Sequence, residues 1–215
     1  MKNWIKDAIK ERKLIAIVRG VEPELCIRVA QALYDGGFQL LEITYDQKHP
    51  ETWENTAQTI KTLAEAFAGK MYIGAGTVTN TELVELTHKY GGQFIISPDV
   101  NEAVIARTCA LGMVSIPGAL TPTEIMTAHR AGADFVKLFP AGTLGVGYLK
   151  AVKAPISHVD VLAVGGIDES NIASFLAAGA AGAGIGGNLV NPDWIKAGQY
   201  EKITEAARHL VDAAK

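Results

Sequence analysis

The decapeptide HRAGADFVKL, residues 129–138, carries two structural signals back to back. A helix-like stretch stops at Gly132, the residue type that most readily takes the left-handed conformation closing a helix, and an apolar strand follows from Phe135. The same junction recurs as YDGGFQLLEI (34–43), KYGGQFIIS (89–97), CALGMVSIP (109–117) and AAGAAGAGI (177–185), with Gly36, Gly91, Gly112 and Gly179 at the turning points. Helix starts are marked too. In TPTE, residues 121–124, Thr121 reads as an N-cap, Pro122 as the first helical residue and Glu124 as the returning carboxylate of a capping box.

Working outward from these junctions places strands at 14–19, 40–45, 72–77, 94–98, 114–117, 135–139, 159–164 and 182–186, with one helix between each pair. Eight βα units without a linker or a low-complexity segment predict an α/β fold, a (β/α)8 TIM barrel in a single domain over residues 1–215. A doubly wound sheet is the alternative, but eight even units with no composition break suit the closed barrel better. A first helix over about 3–12 is expected to cover the bottom of the barrel, and one over about 199–214 to complete the outer ring.

With 48% hydrophobic residues, the chain can bury a substantial core, and its net charge of −3 offers no basic stripe for nucleic acid or an anionic membrane. The longest apolar runs have the length of strands, and MKNWIKDAIKERK at the start is charged and amphipathic rather than a signal sequence, so a cytoplasmic protein is expected. Cys26 and Cys109 lie far apart within predicted helices and read as small apolar residues, not as a bridge. The five histidines are scattered at no metal-ligand spacing, and no metal is expected.

In such a barrel the active site lies at the C-terminal strand ends, and alternate strand residues point inward. From Phe135 to Phe139 the only polar residue is Lys137, and burying an ammonium group costs several kcal/mol unless it is compensated. On the second strand Glu42 and Thr44 share a face, with Leu41 and Ile43 turned to the helices. Arg19 ends the first strand and Thr77 the third, where Gly74 and Gly76 leave room against the backbone, and Ser97, Pro98 and Pro117 make a tight rim. As filler, Lys137 and Glu42 would form an interior ion pair. As chemistry, a lysine in an apolar pocket has its pKa lowered and becomes an amine nucleophile toward a carbonyl, with Glu42 as general base and acid. The last two strands end in glycines, Gly165–Gly166 and Gly186–Gly187, turns leading into helix N-termini that present N–H groups to a phosphate.

AIVRG, LEIT, IGAGTV, FIISPD, IPGALTPTE, VKLFPA, VGGI and GIGGNLV, in this order, resemble the 2-keto-3-deoxy-6-phosphogluconate (KDPG) and 2-keto-4-hydroxyglutarate (KHG) aldolase family over nearly the whole chain. The resemblance implies a class I lyase that cleaves one or both of these keto acids to pyruvate and an aldehyde, glyceraldehyde 3-phosphate or glyoxylate. It implies a homotrimer working without metal or cofactor on small molecules, with no nucleic-acid or membrane partner. By motif, Lys137 corresponds to the Schiff-base lysine and Glu42 to the proton shuttle, while Thr77 helps hold the pyruvate carboxylate. Arg19, Pro98, Phe139, Gly165, Gly166, Gly186, Gly187 and Asn188 correspond to substrate-binding positions.

Three residues depart from the family pattern. Asp46 stands where many members carry an arginine that contacts the pyruvate carboxylate, so either the loop turns Asp46 away or Arg19 and Thr77 bind that group. Val164 replaces a threonine, and Asn188 a serine that can be matched as a phosphate donor. Read alone, the glycine turns would also suit an isomerase using Glu42 as a base without covalent chemistry, or a barrel that only senses a ligand.

Overall fold

A computed structural model describes residues 2–215, so that only Met1 of the expected 1–215 domain lies outside it. Nine strands form one sheet: β1 (Leu14–Val18), β2 (Leu40–Thr44), β3 (Tyr72–Gly76), β4 (Phe94–Ile96), β5 (Val114–Ile116), β6 (Gly118–Ala119), β7 (Val136–Leu138), β8 (Val161–Val164) and β9 (Gly182–Ile185). They pair in parallel in the order β5-β4-β3-β2-β1-β9-β8-β7-β6. The two ends of that order are consecutive in sequence, separated only by Pro117, so the chain itself closes a TIM barrel.

The expected fifth strand is thus split in two, and Pro117 is the reason. It has no N–H to give to a ladder. Ser97 N–H donates to the Ile116 carbonyl at 3.2 Å, and Lys137 N–H donates to the Pro117 carbonyl at 2.8 Å, so the segment leaves β4 and joins β7 at this residue. Gly118 lets it turn there, since a Cβ would stand 2.5 Å from the Pro98 carbonyl oxygen.

Around the ring run α2 (Pro23–Asp35), α3 (Trp53–Ala66), α4 (Thr81–Lys89), α5 (Glu102–Ala110), α6 (Pro122–Arg130), α7 (Ala141–Lys153), α8 (Ile172–Ala177), the short α9 (Pro192–Lys196) and α10 (Tyr200–Ala213). The capping box is present at α6: the Thr121 hydroxyl accepts from Glu124 N–H, and the Glu124 carboxylate accepts from Thr121 N–H. Gly91, Gly112, Gly132 and Gly179 take positive φ at the helix-to-strand junctions as expected. At the first junction the left-handed residue is Gly37 (φ 100), not Gly36 (φ −83). Gly36 is needed for a different reason, because a Cβ there would stand 2.3 Å from Ala207 Cβ on α10.

Alternation along the strands sorts the core into two layers. Leu41 and Ile43 pack outward with the helices, whereas Leu40 joins Ile15, Phe94, Ile116, Phe135 and Leu162 inside the barrel. The first helix, α1 (Lys2–Arg12), sends Ile5 and Ile9 into that inner layer and so closes the bottom. Lys2 and Lys6 hold it there through Asp134, at 2.9 and 3.3 Å, and the Asp134 carboxylate also accepts from Ser115 N–H. Among the described residues no helix is long and apolar enough to cross a membrane.

Candidate active site

Above the apolar layer the barrel interior changes character. Glu42 on β2 is level with Ile17 of β1 and Gly74 of β3, and Lys137 on β7 lies between Gly118 of β6 and Leu162 of β8. Their residues are only 1% and 8% exposed. Gly76 makes the burial of Glu42 possible, because a Cβ there would fall 2.0 Å from Glu42 Oε1. The space that the β3 glycines leave is thus filled in part by the carboxylate.

The two charges influence one another without forming a contact ion pair, which separates them from a space-filling interior pair. Glu42 Oε2 is buried with no hydrogen-bond partner. Burial pushes the Glu42 carboxyl above its usual range, opposed by the positive charges of Lys137 and Arg19. Burial pulls the Lys137 amine down; Glu42 acts against that shift, and Arg19 adds to it. The Phe139 ring lies with its centroid 5.0 Å from Lys137 Nζ, while Phe135 is fully buried below. Burial therefore acts on both groups in the direction of their uncharged forms, raising the Glu42 carboxyl and lowering the Lys137 amine.

Arg19 is exposed at the rim, and its Nη2 donates to Thr77 Oγ1 at 3.2 Å. Thr77 sits at φ 59, a left-handed conformation that costs a β-branched residue on the order of 1–3 kcal/mol. Gln47 Nε2 donates to the Thr77 carbonyl, and Thr79 Oγ1 donates to Gln47 Oε1, both at 2.8 Å. Asp46 is exposed, and its Oδ1 accepts from Lys48 N–H at 2.8 Å, an Asx-type turn that commits this oxygen to its own loop. A cleft of about 660 Å³ opens beside the rim, bordered by Arg19, Thr44, Asp46, Gln47 and Thr77.

On the opposite side Gly165 (φ 87) and Gly166 (φ 72) both occupy left-handed conformations that other residues rarely adopt, and a Cβ on Gly165 would come 3.0 Å from the Phe139 ring. The N–H groups of Gly166, Gly187 and Asn188 donate to no backbone carbonyl among the described residues. The helix N-termini expected directly after these turns stand further off, since α8 begins at Ile172 and α9 at Pro192. Asn171 and Asp168 intervene in the first case, where Asn171 Oδ1 accepts from Asp168 N–H and its Nδ2 donates to the Gly166 carbonyl. Pro98 is exposed on the rim, and its carbonyl lies against Gly118.

Lys137, Glu42, Arg19, Thr77 and Phe139 are thus brought to one end of the barrel. Gln47 escaped the sequence reading, and no signal marks it, since it lies in a loop without periodicity and its partners are backbone and hydroxyl groups on another strand end. Among the described residues no three His, Cys, Asp or Glu side chains gather as a metal site would need.

Comparison with known proteins adds a family to this geometry. The family model "KDPG and KHG aldolase" matches residues 5–206. The chain is 39% identical over 202 residues to a 2-dehydro-3-deoxy-6-phosphogalactonate aldolase of Escherichia coli (strain K12), covering 93% of each chain. It is 32% identical over 220 residues to the KHG/KDPG aldolase of the same strain, covering all of both. Among solved structures it is similar to a KDPG aldolase from Legionella pneumophila with pyruvate captured as a covalent carbinolamine, with a TM-score of 0.85 and 26% identity over 95% of this chain and 97% of that one.

Proposed function

The chain belongs to the KDPG and KHG aldolase family, and we propose that within it Lys137 is the Schiff-base nucleophile and Glu42 the proton shuttle. The enzyme is an aldehyde-lyase, a pyruvate-dependent aldolase of 2-keto-3-deoxy sugar acids. The observation that carries the residue roles is a buried lysine, its pKa lowered by burial, that feels the charge of a buried carboxylate with an unpartnered oxygen.

Neutral Lys137 attacks the C2 ketone, and the carbinolamine loses water to an iminium. Glu42 takes the proton of the C4 hydroxyl as the C3–C4 bond breaks, and the electron pair flows into the iminium, leaving the pyruvate enamine and an aldehyde. Protonation at C3 and hydrolysis return pyruvate and the free amine. The iminium is the electron sink, so this route calls for no cofactor. Arg19 and Thr77 hold the keto-acid carboxylate, with Asp46 turned into its loop. Pro98 and Phe139 wall the chamber, and the turns at Gly165–Gly166 and Gly186–Asn188 receive the distal phosphate.

Incubation with pyruvate and borohydride checks this directly: one reduced pyruvyl group is expected on Lys137 and none on Lys137→Ala. An adduct on another lysine, or none, overturns it.

For the substrate, the relative named for phosphogalactonate is 39% identical and that named for KHG/KDPG 32%. We therefore favour 2-dehydro-3-deoxy-6-phosphogalactonate over the gluconate epimer. Pyruvate release from the two C4 epimers and from 2-keto-4-hydroxyglutarate measures the preference. Faster turnover of the gluconate epimer would reverse the substrate assignment while leaving the chemistry. The reading is completed by a cytoplasmic homotrimer with no nucleic-acid or membrane partner, and a monomer by light scattering would remove the trimer.

A further inference from the structure

Resting on the assignment of Thr77 to the keto-acid carboxylate, we propose that Gln47 is a positioning residue for that carboxylate, acting through Thr77 and not on the reacting atoms. Thr77 is β-branched yet left-handed, at φ 59, a conformation that such residues keep only where their surroundings hold them. The Gln47 amide uses both of its ends on this one turn. Its Nε2 donates to the Thr77 carbonyl at 2.8 Å, and its Oε1 accepts from Thr79 Oγ1 at 2.8 Å. Val78 between them is fully buried, and its N–H donates to the Ile96 carbonyl at 3.2 Å. The turn is therefore fixed to β4 on one side and, through Gln47, to the loop after β2 on the other.

What this fixes is a hydroxyl. Thr77 Oγ1 accepts from Arg19 Nη2 at 3.2 Å, which leaves its own hydrogen free to donate to an anion beside the guanidinium. Relaxation of Thr77 to negative φ would swing Cβ away and part the two donors. The loop bearing Gln47 is itself tied down, since Asp46 Oδ1 accepts from Lys48 N–H and the Asp46 carbonyl accepts from Trp53 Nε1, both at 2.8 Å. The loop that follows the strand of Glu42 thus supports the turn after β3 that carries the Thr77 hydroxyl.

The test measures the pyruvate concentration that half-saturates borohydride trapping on Lys137, together with kcat and KM for cleavage, in Gln47→Ala, Gln47→Glu, Thr77→Ala and the Gln47→Ala/Thr77→Ala double variant. Gln47→Glu keeps the acceptor for Thr79 but loses the donor to Thr77, and it decides the matter if the alanine variant fails to fold. Both Gln47 variants are expected to raise half-saturation and KM roughly tenfold with kcat little changed, the signature of a binding rather than a chemical loss. Added to Thr77→Ala, Gln47→Ala should change little further, because the two act through one hydroxyl. Unchanged half-saturation, equal falls in kcat and kcat/KM, or additive effects in the double variant would overturn the role of Gln47 while the Lys137 assignment stands. Absence of trapping in the unmodified enzyme overturns both.

Discussion

At the scale of single residues, the proposed chemistry follows from two buried charges, Glu42 and Lys137, and the exposed Arg19 that acts on both. With Glu42 in the proposed role of proton shuttle, Glu42→Gln should lower kcat for cleavage by about 10²–10⁴-fold, the usual worth of a positioned general acid–base. The pH dependence carries a sharper signature. Trapping needs the neutral amine, so its initial rate should rise with pH through the Lys137 pKa, which burial holds below the ordinary lysine value. Arg19 pulls that pKa down, so Arg19→Ala should move the rising limb to higher pH; Glu42 pushes it up, so Glu42→Gln should move the limb to lower pH. Opposite displacements are expected, and displacements in the same direction would separate Lys137 from this field. Lys137 and Glu42 could be read from the sequence because a charge within a strand pattern is expensive and must be explained. Thr77's left-handed backbone and its Gln47 support could not, because nothing in a threonine codon position or a loop glutamine announces a hydrogen bond across strands.

At the scale of elements, each strand and helix is set by punctuation, and what misled the reading was punctuation with two uses. Proline ends strands, and Pro117 does so, but it also hands one segment from β4 to β7. Glycine closes helices, yet Gly36 is present for the approach of α10 and leaves the left-handed turn to Gly37. Gly76 belongs to the same class of packing glycines. Gly76→Ala puts a Cβ against the Glu42 carboxylate, so overpacking should cost about 1–3 kcal/mol and displace that carboxylate as well. Its melting temperature and kcat should therefore fall together. Retained kcat would mean that Glu42 works from another position. The α6 capping box provides a contrast. Thr121→Ala removes the acceptor for Glu124 N–H and should cost about 1 kcal/mol, roughly 2–4 °C in Tm.

At the scale of the whole molecule, the barrel divides labour between its two ends. Glycines and charges occupy the top of the interior, whereas the bottom is filled by large apolar side chains and sealed by α1. This division was legible, because the amphipathic first helix precedes the first strand and the polar residues fall at strand C-termini. It makes stability and activity separable by position. Ile9 is completely buried in the inner layer, far in the stacking order from the Glu42 and Lys137 level. Ile9→Ala should cost about 2–5 kcal/mol through lost burial and the cavity left behind, lowering Tm by roughly 4–20 °C. Below its transition the folded variant should keep its kcat and its pyruvate half-saturation, since Lys2 and Lys6 still hold α1 to Asp134 and the strand ends are not displaced. Calorimetry and single-turnover trapping on the same preparation make the comparison. If kcat instead declined in step with Tm, the bottom plug would be setting the register of the strands that carry the chemistry, and the two ends of the barrel would form one mechanical unit.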